Sequence, residues 1–212
     1  MPVVLLVRHG QASFGAADYD VLSATGHRQG EVLRGELGRR GLRDPVVAAG
    51  TLRRQQGTAA AALPGEPVRV DPRWDEYDHL GLVDRYPPPP DAAAPDGSSR
   101  SVQALLDGAL LAWQADPDGG WAAFAGGASD ALRELVAGLD GRDAVVFTSG
   151  GVIAAVCASL LGLDAAGLVA LNRVTVNGAI TKLVVGRGGV HLVSFNDHAH
   201  FEGPDRSLLT YR

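Results

Sequence analysis

The chain has 212 residues, of which 46% are hydrophobic and 20% are charged. This is ordinary globular usage, and no linker divides the chain, so we expect one domain over residues 1–212. The apolar runs are too short to cross a membrane, and a formal net charge of −5 argues against broad binding to nucleic acid or anionic membranes. No secretory signal pattern precedes the first predicted strand, which favours the cytoplasm.

The first half of the chain alternates strands and helices. Residues 3–7 form an apolar run typical of a strand. Ser23 or Thr25 is suited to start the following helix, and Gly41 is suited to end it. Three elements continue the alternation: a strand at 45–48, an Ala- and Gln-rich helix at 51–63, and a strand at 67–70. This order predicts parallel strands joined by helical crossovers.

A long stretch without regular periodicity begins at Asp71. It contains four consecutive prolines at 87–90 together with Asp, Gly and Ser residues. Trp74, Tyr77 and Leu80 give its first half apolar side chains to bury. We therefore interpret residues 71–100, approximately, as a lid over the ligand-binding end of the sheet rather than as a domain linker.

The second half of the chain completes the predicted sheet. Five segments carry the pattern: helices at 101–113 and 121–139, an apolar strand at 144–148, and an antiparallel pair at 174–185 and 190–195. A further helix follows Ser149, and its apolar run makes Cys157 a buried small hydrophobe. The predicted fold is α/β, with three α/β/α layers around a mostly parallel mixed sheet.

Arg8, His9 and Gly10 come directly after the first strand, where an α/β sheet usually opens to its ligand. A neutral imidazole nitrogen can attack phosphorus and carry the phosphoryl group, and a guanidinium beside it offers a planar fork of donors to phosphate oxygens. So short a motif also fits an ordinary turn. The rest of the chain favours phosphate chemistry.

Four segments between residues 6 and 76 carry a further pattern. They are Leu6-Val7-Arg8-His9-Gly10-Gln11, Leu22-Ser23 with Gly26 and Gln29, Leu52-Arg53-Arg54 with Thr58-Ala59, and Trp74-Asp75-Glu76. These segments resemble the histidine phosphatase superfamily, which contains cofactor-dependent phosphoglycerate mutases and many small phosphomonoesterases. The resemblance implies a phosphoglycerate mutase-like fold, with His9 as the nucleophile, Arg54 rather than Arg53 as the second phosphate-binding arginine, and Glu76 as the general acid.

These roles also make physical sense. Arg8 and Arg54 would offset the charge of a phosphate dianion and of the transition state. Glu76, beside apolar Trp74, would have a raised pKa and hold a proton for the leaving oxygen, with Asp78 as its stand-in. We also expect two residues that follow the predicted nucleophile in the chain, Gln11 and Ser13, to bind phosphate.

The chain departs from the family pattern after the late strand, where Ser149 occupies the place of a second histidine. A serine donates one hydrogen bond, and Gly150 opens a helix whose N-terminal amides favour an anion. Neither supplies positive charge. His79 is the first candidate to fill this gap, and His200 is the second.

The resulting prediction is a phosphomonoesterase that acts on a small phosphorylated metabolite without a metal or other cofactor. His9 would attack phosphorus, Glu76 would protonate the departing alcohol, and water would hydrolyse the phosphohistidine. Phosphoglycerate mutase-type transfer would use the same residues. A phospholigand-binding pseudoenzyme would keep the pocket without turnover, and Ser149 motivates that alternative.

Two other hydrolase classes are weaker readings. A metal-dependent hydrolase would use Asp197, His198 and His200 with Asp75 or Asp78, but no third ligand has diagnostic spacing. A serine hydrolase would use Ser149 with Asp197 and His200, but Phe147 stands where a nucleophile elbow needs glycine. The expected partner is a small-molecule phosphate ester rather than nucleic acid or membrane, and the sequence leaves a homodimer and the natural substrate open.

Overall fold

The computed structural model describes residues 1–13, 19–89 and 98–211. The strands are β1 Val3–Arg8, β2 Val46–Ala49, β3 Val68–Val70, β4 Ala144–Thr148, β5 Ile180–Gly186 and β6 Gly189–Asp197. The helices are α1 Ala24–Arg39, α2 Arg53–Ala62, α3 His79–Arg85, α4 Ser99–Ala115, α5 Trp121–Ala137, α6 Gly150–Leu161 and α7 Ala165–Val174.

The strands form one mixed sheet in the order β3-β2-β4-β1-β5-β6. The first four strands in this order run parallel, β5 is antiparallel to β1, and β6 is antiparallel to β5. Strand β1 is therefore central, which explains why its run is apolar on both faces. The predicted mostly parallel sheet is confirmed.

Side chains of β1 alternate between two cores. Val4 and Leu6 pack in the core that includes α5 and α6, whereas Leu5 and Val7 pack in the core that includes α1 and α2. Successive side chains of a strand point to opposite faces, so each face of the sheet is covered by its own pair of helices. This is the expected α/β/α arrangement. Cys157 of α6 is buried as predicted, and burial raises the pKa of its thiol to about 12.

Local sequence signals place most helix ends. The Ser23 hydroxyl accepts from the Gly26 amide at 3.1 Å and caps α1, and Gly41 follows the helix with φ of +59°. The prediction of a strand from residue 174 is wrong at its start. Residues 165–174 form α7, which is capped by the Asp164 carboxylate, and the strand begins only at Ile180. Val174 and Val176 are β-branched, which is typical of a strand. In the structure, however, Val174 ends α7 and Val176 lies in the segment between α7 and β5.

The segment after β3 is partly helical. A short 3-10 helix spans Pro72–Trp74 and precedes α3, while residues 90–97, including the last of the four prolines, lie outside the described residues. Trp74 is 2% exposed, as expected, but Leu80 is 69% exposed and Leu82 is the buried leucine of α3. The expectation that Leu80 is buried is wrong because it lies on the outer side of the first turn of α3. Among the described residues, no helix combines the length and apolarity that crossing a membrane requires.

The turn after β1 packs closely on the first turn of α1. A Cβ on Gly26 would lie 2.2 Å from the Gln11 carbonyl oxygen, whereas a Cβ on Gly38, in the same helix, would have no neighbour within 4 Å. The Cβ on Gly26 would meet a backbone carbonyl oxygen, so neither the helix nor the turn after β1 could move away easily.

We predict opposite effects for the two substitutions. Gly26→Ala should lower the free energy of unfolding by about 2 kcal/mol or more through overpacking. Gly38→Ala should raise it by about 0.5–1 kcal/mol through helix propensity. Urea unfolding of both variants tests this, and equal changes would contradict the close approach.

Candidate active site

The turns after β1 and β4 lie side by side at the carboxyl edge of the sheet. Arg8 ends β1, Thr148 ends β4, and these two residues are paired across the strands. The His9 amide donates to the Thr148 carbonyl at 2.8 Å. After β1 the chain continues into α1 on one face, and after β4 it continues into α6 on the other face. Such a switch point opens a crevice in which α/β sheets bind their ligands.

The backbone around His9 is anchored by buried polar side chains. The anchoring bonds are Gly10 N to Thr58 Oγ1 at 2.9 Å, Gln11 N to Gln29 Oε1 at 2.7 Å, and Asn177 Nδ2 to His9 O at 3.1 Å. Gln29, Thr58 and Asn177 are fully buried. The turn is therefore held from α1, from α2 and from the segment before β5.

The imidazole of His9 is held in one tautomer. Its Nδ1 lies 2.7 Å from the Gly10 carbonyl oxygen, and Arg54 Nε lies 3.2 Å from His9 Nε2. Because a guanidinium only donates and a carbonyl only accepts, Nδ1 carries the proton and Nε2 carries the lone pair. The lone pair of Nε2 is the one available for attack on phosphorus.

The surroundings also keep His9 neutral. Its side chain is 5% exposed, and burial is the main cause that lowers its pKa well below the usual range. The positive charges of Arg8 and Arg54 lower the pKa further. An imidazole must be unprotonated to act as a nucleophile, and the same two positive charges would attract an incoming anion.

Arg8 and Arg54 approach His9 from different elements. Arg54 is buried at the start of α2, whereas Arg53 is exposed, which agrees with the choice of Arg54. Arg8 Nη1 donates to the carbonyls of Thr175 and Tyr211. Arg8 Nε is buried and lacks a hydrogen-bond partner within the part of the chain that the structure describes. Burial lowers the pKa of Arg8.

Glu76 lies at the first turn of α6. Its carboxylate accepts from the Gly151 amide at 3.1 Å and from the Tyr77 amide at 3.3 Å. Burial raises the pKa of Glu76, and the Gly151 bond and the charges of Arg8 and Arg54 only partly oppose this. A carboxyl group with a raised pKa, within electrostatic reach of both arginines, is suited to hold a proton for a leaving oxygen.

Asp78, the alternative to Glu76, has a structural role. Its carboxylate accepts from the amides of Leu80 and Gly81 and caps α3. The arrangement around Glu76 therefore has no counterpart at Asp78.

Ser149 is fully buried and is oriented by Gln55, a residue that the sequence analysis missed. Gln55 Nε2 donates to the Trp74 carbonyl at 2.9 Å and to Ser149 Oγ at 2.8 Å. The Trp74 carbonyl accepts only, which fixes the orientation of the Gln55 amide. Ser149 Oγ is thus an acceptor toward Gln55, and its own proton remains for another acceptor.

Three further residues were expected to bind phosphate: Gln11, Ser13 and Gly150. Gln11 Oε1 accepts from the Ser23 hydroxyl at 2.9 Å, and the Ser13 amide donates to the Val21 carbonyl at 2.8 Å. Both residues therefore connect the turn after β1 to the start of α1. Gly150 begins α6, and a Cβ there would lie 3.6 Å from Arg8 Nε. Of these three residues, Gly150 lies nearest to the arginine.

The two candidate replacement histidines lie apart. His79 contacts the Tyr19 ring with centroids 5.8 Å apart, and burial, with a smaller contribution from the Arg54 charge, lowers its pKa. His200 Nε2 is bonded to the Gly178 carbonyl at 3.0 Å, and its ring packs on Phe201. The charged groups that act on His200 are Glu36, Arg40 and Asp197. His79 is therefore the histidine that faces the arginine side of the site.

The residues proposed for a metal site do not form one. Within residues 1–13, 19–89 and 98–211, no group of three or more His, Cys, Asp and Glu side chains is arranged to hold a metal ion. Asp197 instead pairs with Arg40 at 2.7 Å. Ser149 has Gln55 as its partner rather than the histidine that a serine nucleophile needs.

Two further residues near the nucleophile were missed. The Asp20 carboxylate pairs with Arg54 Nη1 at 2.6 Å, and the Tyr19 ring lies 5.5 Å from the Arg54 Cζ atom. Nothing in the sequence around Tyr19 and Asp20 marks them, because their role arises from the folding of the segment onto α2. For Gln55, a polar residue in an Ala-rich helix next to Arg54 was the available signal.

This fold, with a neutral histidine beside two arginines at the carboxyl edge of the sheet, indicates a class of phosphate-handling enzyme. The chain belongs to the histidine phosphatase superfamily (branch 1), whose family model matches residues 4–198. The resemblance seen in the sequence is thereby confirmed. No curated protein matches the sequence.

Similar solved structures support the same family assignment. A mycobacterial glucosyl-3-phosphoglycerate phosphatase solved with VO3 is 27% identical, covers 93% of this chain and 100% of its own, and has a TM-score of 0.65. A structure described as mycobacterial hydrolase 1 is 28% identical, covers 93% and 99%, and has a TM-score of 0.66. A phosphoserine phosphatase from Entamoeba histolytica, 15% identical over 94% and 99% with a TM-score of 0.65, supports the fold alone. Together with the family match, these neighbours identify an enzyme that hydrolyses phosphate monoesters.

We predict a leaving-group-dependent effect for Glu76→Gln. Loss of the proton donor should lower kcat/KM about 10²- to 10⁴-fold with an alkyl phosphate, and far less with p-nitrophenyl phosphate, whose leaving group needs little protonation. The ratio kcat/KM excludes the later hydrolysis of the phosphohistidine, which is common to both substrates. Steady-state kinetics with both substrates tests this. Asp78→Asn, which keeps a capping side chain, is the control. A uniform loss with both substrates would argue against Glu76 as the acid.

The pH profile should show the same groups. In the wild type, kcat/KM for the alkyl phosphate should rise as His9 loses its proton and fall as Glu76, whose pKa is raised, loses its own. Glu76→Gln should remove the alkaline fall and keep the acid limb. An unchanged alkaline limb in this variant would contradict the assignment.

For Ser149→Ala, we predict weaker phosphate binding. The substitution removes a buried acceptor for Gln55 and a donor for phosphate, so the KM should rise up to about tenfold and the free energy of unfolding should fall by about 1–2 kcal/mol. Ser159→Ala, at an exposed position of the same helix, is the control. Kinetics and urea unfolding measure both effects, and an unchanged KM would exclude Ser149 from substrate binding.

Proposed function

We propose that the protein is a phosphomonoesterase that acts through a phosphohistidine on His9 and that its substrate is a small phosphorylated metabolite. The main support for this proposal is that His9 is neutral and that its Nε2 lone pair is directed at the buried Arg54. A lone pair in that position serves attack on an anionic phosphorus centre better than any other group of the site.

The first half of the reaction follows from this geometry. A phosphate group would take over the Arg54 donor that now lies on His9 Nε2, and its other oxygens would meet Arg8 Nε. The His9 Nε2–P bond forms as the P–O bond to the alcohol breaks. The Glu76 carboxyl gives its proton to the departing oxygen, which balances the charge that develops there.

In the second half, water replaces the alcohol. Glu76, now ionised, accepts a proton from water as the water oxygen attacks phosphorus and the P–N bond breaks. Inorganic phosphate and neutral His9 are the products, and Glu76 is protonated again. The burial that raises the pKa of Glu76 supports both roles because the carboxylate is a better base there than in water.

The substrate class is supported by the neighbours and by the lid. The mycobacterial glucosyl-3-phosphoglycerate phosphatase that this chain resembles is named for a small phosphorylated metabolite. Here the predicted lid contributes Tyr77 and His79 near the site, and the Tyr77 ring packs against Trp113 and Phe124. A wall built from packed aromatic rings favours a compact leaving group over a macromolecule.

Ser149 is the observation that favours a second candidate. With serine in place of an imidazole, the site holds one cation fewer, which suits a pseudoenzyme that binds a phosphorylated ligand without turnover. Mutase-type transfer is the third reading and needs a phosphohistidine that persists until another acceptor arrives.

Rapid-quench trapping separates these functions. The wild type mixed with p-nitrophenyl phosphate should form acid-labile phosphate that maps to His9, together with multiple turnovers of released phosphate. His9→Ala should form none, whereas His27→Ala, at an exposed position of α1, should behave as the wild type. Phosphate binding without an adduct would indicate the pseudoenzyme. An adduct stable in water but discharged by an added alcohol would indicate transfer.

A further inference from the structure

The carboxylate of Asp20 lies directly against the phosphate-binding arginine. Asp20 Oδ1 is 2.6 Å from Arg54 Nη1, and Asp20 Oδ2 accepts from the Arg53 amide at 2.8 Å. The Arg54 side chain is 9% exposed and that of Asp20 is 30% exposed, so the pair is shielded on the arginine side and open to water on the other. An anion that reaches Arg54 from the crevice meets this carboxylate.

The Arg54 guanidinium is thus already engaged within the protein. Its Nε donates to His9 Nε2 at 3.2 Å, its Nη1 donates to Asp20, and its plane faces the Tyr19 ring. A guanidinium has five N–H donors in a fixed plane, and phosphate is recognised best when two parallel donors are presented together. To bind in this way, a phosphate group must share Arg54 with Asp20 or take its place.

The charge of the site makes this competition matter. Arg8 and Arg54 contribute two positive charges, Asp20 removes one of them locally, and Ser149 is neutral. A phosphate monoester near neutral pH carries close to two negative charges, so the site is under-compensated. Each nearby fixed charge in such a partly shielded site changes anion affinity strongly.

We propose that Asp20 is an internal competitor for phosphate at Arg54, which sets a low affinity for the phosphate group and so promotes release of inorganic phosphate. The proposal rests on the proposed function to the extent that the His9 site must be the phosphate site. Asp20 touches neither the reacting nitrogen nor the leaving oxygen. It acts through Arg54, by exchange of hydrogen bonds and without a covalent step.

Asp20→Asn removes the negative charge of this side chain but keeps its hydrogen bond to the backbone. Asparagine keeps an oxygen that accepts from the Arg53 amide, so the start of α2 remains capped, but it carries no negative charge. Arg54 is still held by His9 and faced by Tyr19. Asp20→Ser, which also keeps an acceptor and loses the charge, is a second variant in case the first does not fold.

The test measures binding of inorganic phosphate by calorimetry and its inhibition constant in p-nitrophenyl phosphate hydrolysis. We expect Asp20→Asn to bind phosphate about tenfold more tightly at low salt, with a smaller gain at high salt because screening weakens the lost repulsion. The KM should fall with the inhibition constant, and kcat should not rise. Asp143→Asn is the matched control, because Asp143 also accepts from backbone amides and pairs with an arginine, but at the opposite end of the sheet.

Equal or weaker phosphate binding by both Asp20 variants, with folding verified by thermal unfolding, would overturn the proposal and leave Asp20 as a residue that merely positions Arg54. This result is distinguishable from failure of the proposed function. Calorimetry of phosphate needs no turnover, whereas failure of the proposed function appears as the absence of phosphohistidine on wild-type His9.

Discussion

The site depends on keeping an imidazole neutral and oriented beside two arginines, the half-buried Arg8 and the buried Arg54. Burial of His9 and the charges of Arg8 and Arg54 all lower its pKa, and the Gly10 carbonyl fixes the proton on Nδ1. The same two charges that disfavour an imidazolium favour a phosphate anion. Attraction for the substrate and activation of the nucleophile thus have one physical cause, and the surrounding contacts serve to hold these three side chains in place.

The Trp74 carbonyl group ties the segment after β3 to the sheet and to α2. The Trp74 carbonyl accepts from Thr148 Oγ1 at 2.7 Å and from Gln55 Nε2 at 2.9 Å, so the residue two positions before Glu76 is tied both to β4 and to α2. Buried polar groups are costly to leave unpaired, which makes this junction rigid. Through it, the position of Glu76 is linked to Ser149.

The described site is less positively charged than its two arginines suggest. Ser149 adds a hydrogen-bonding group without charge, Asp20 subtracts charge beside Arg54, and His79, which contacts the Tyr19 ring, has a lowered pKa that disfavours its charged form. A site of this kind favours turnover over retention because a tightly held phosphate product would slow each cycle. In our interpretation, a neutral Ser149 and the carboxylate of Asp20 act in the same direction.

The sequence by itself determined the α/β alternation, the position of His9 after the central strand and the choice of buried Arg54 over exposed Arg53. These depend on periodicity, caps and motifs that lie within a few residues of one another. Only the tertiary structure decided that Asp20 meets Arg54, that Gln55 orients Ser149, and that His200 lies against Gly178 rather than near the nucleophile. It also showed that residue 174, expected to begin a strand, ends α7, and that the strand begins only at Ile180. Such outcomes follow from which loops the packed sheet brings together, and contacts between residues far apart in the chain leave no periodic signal in it.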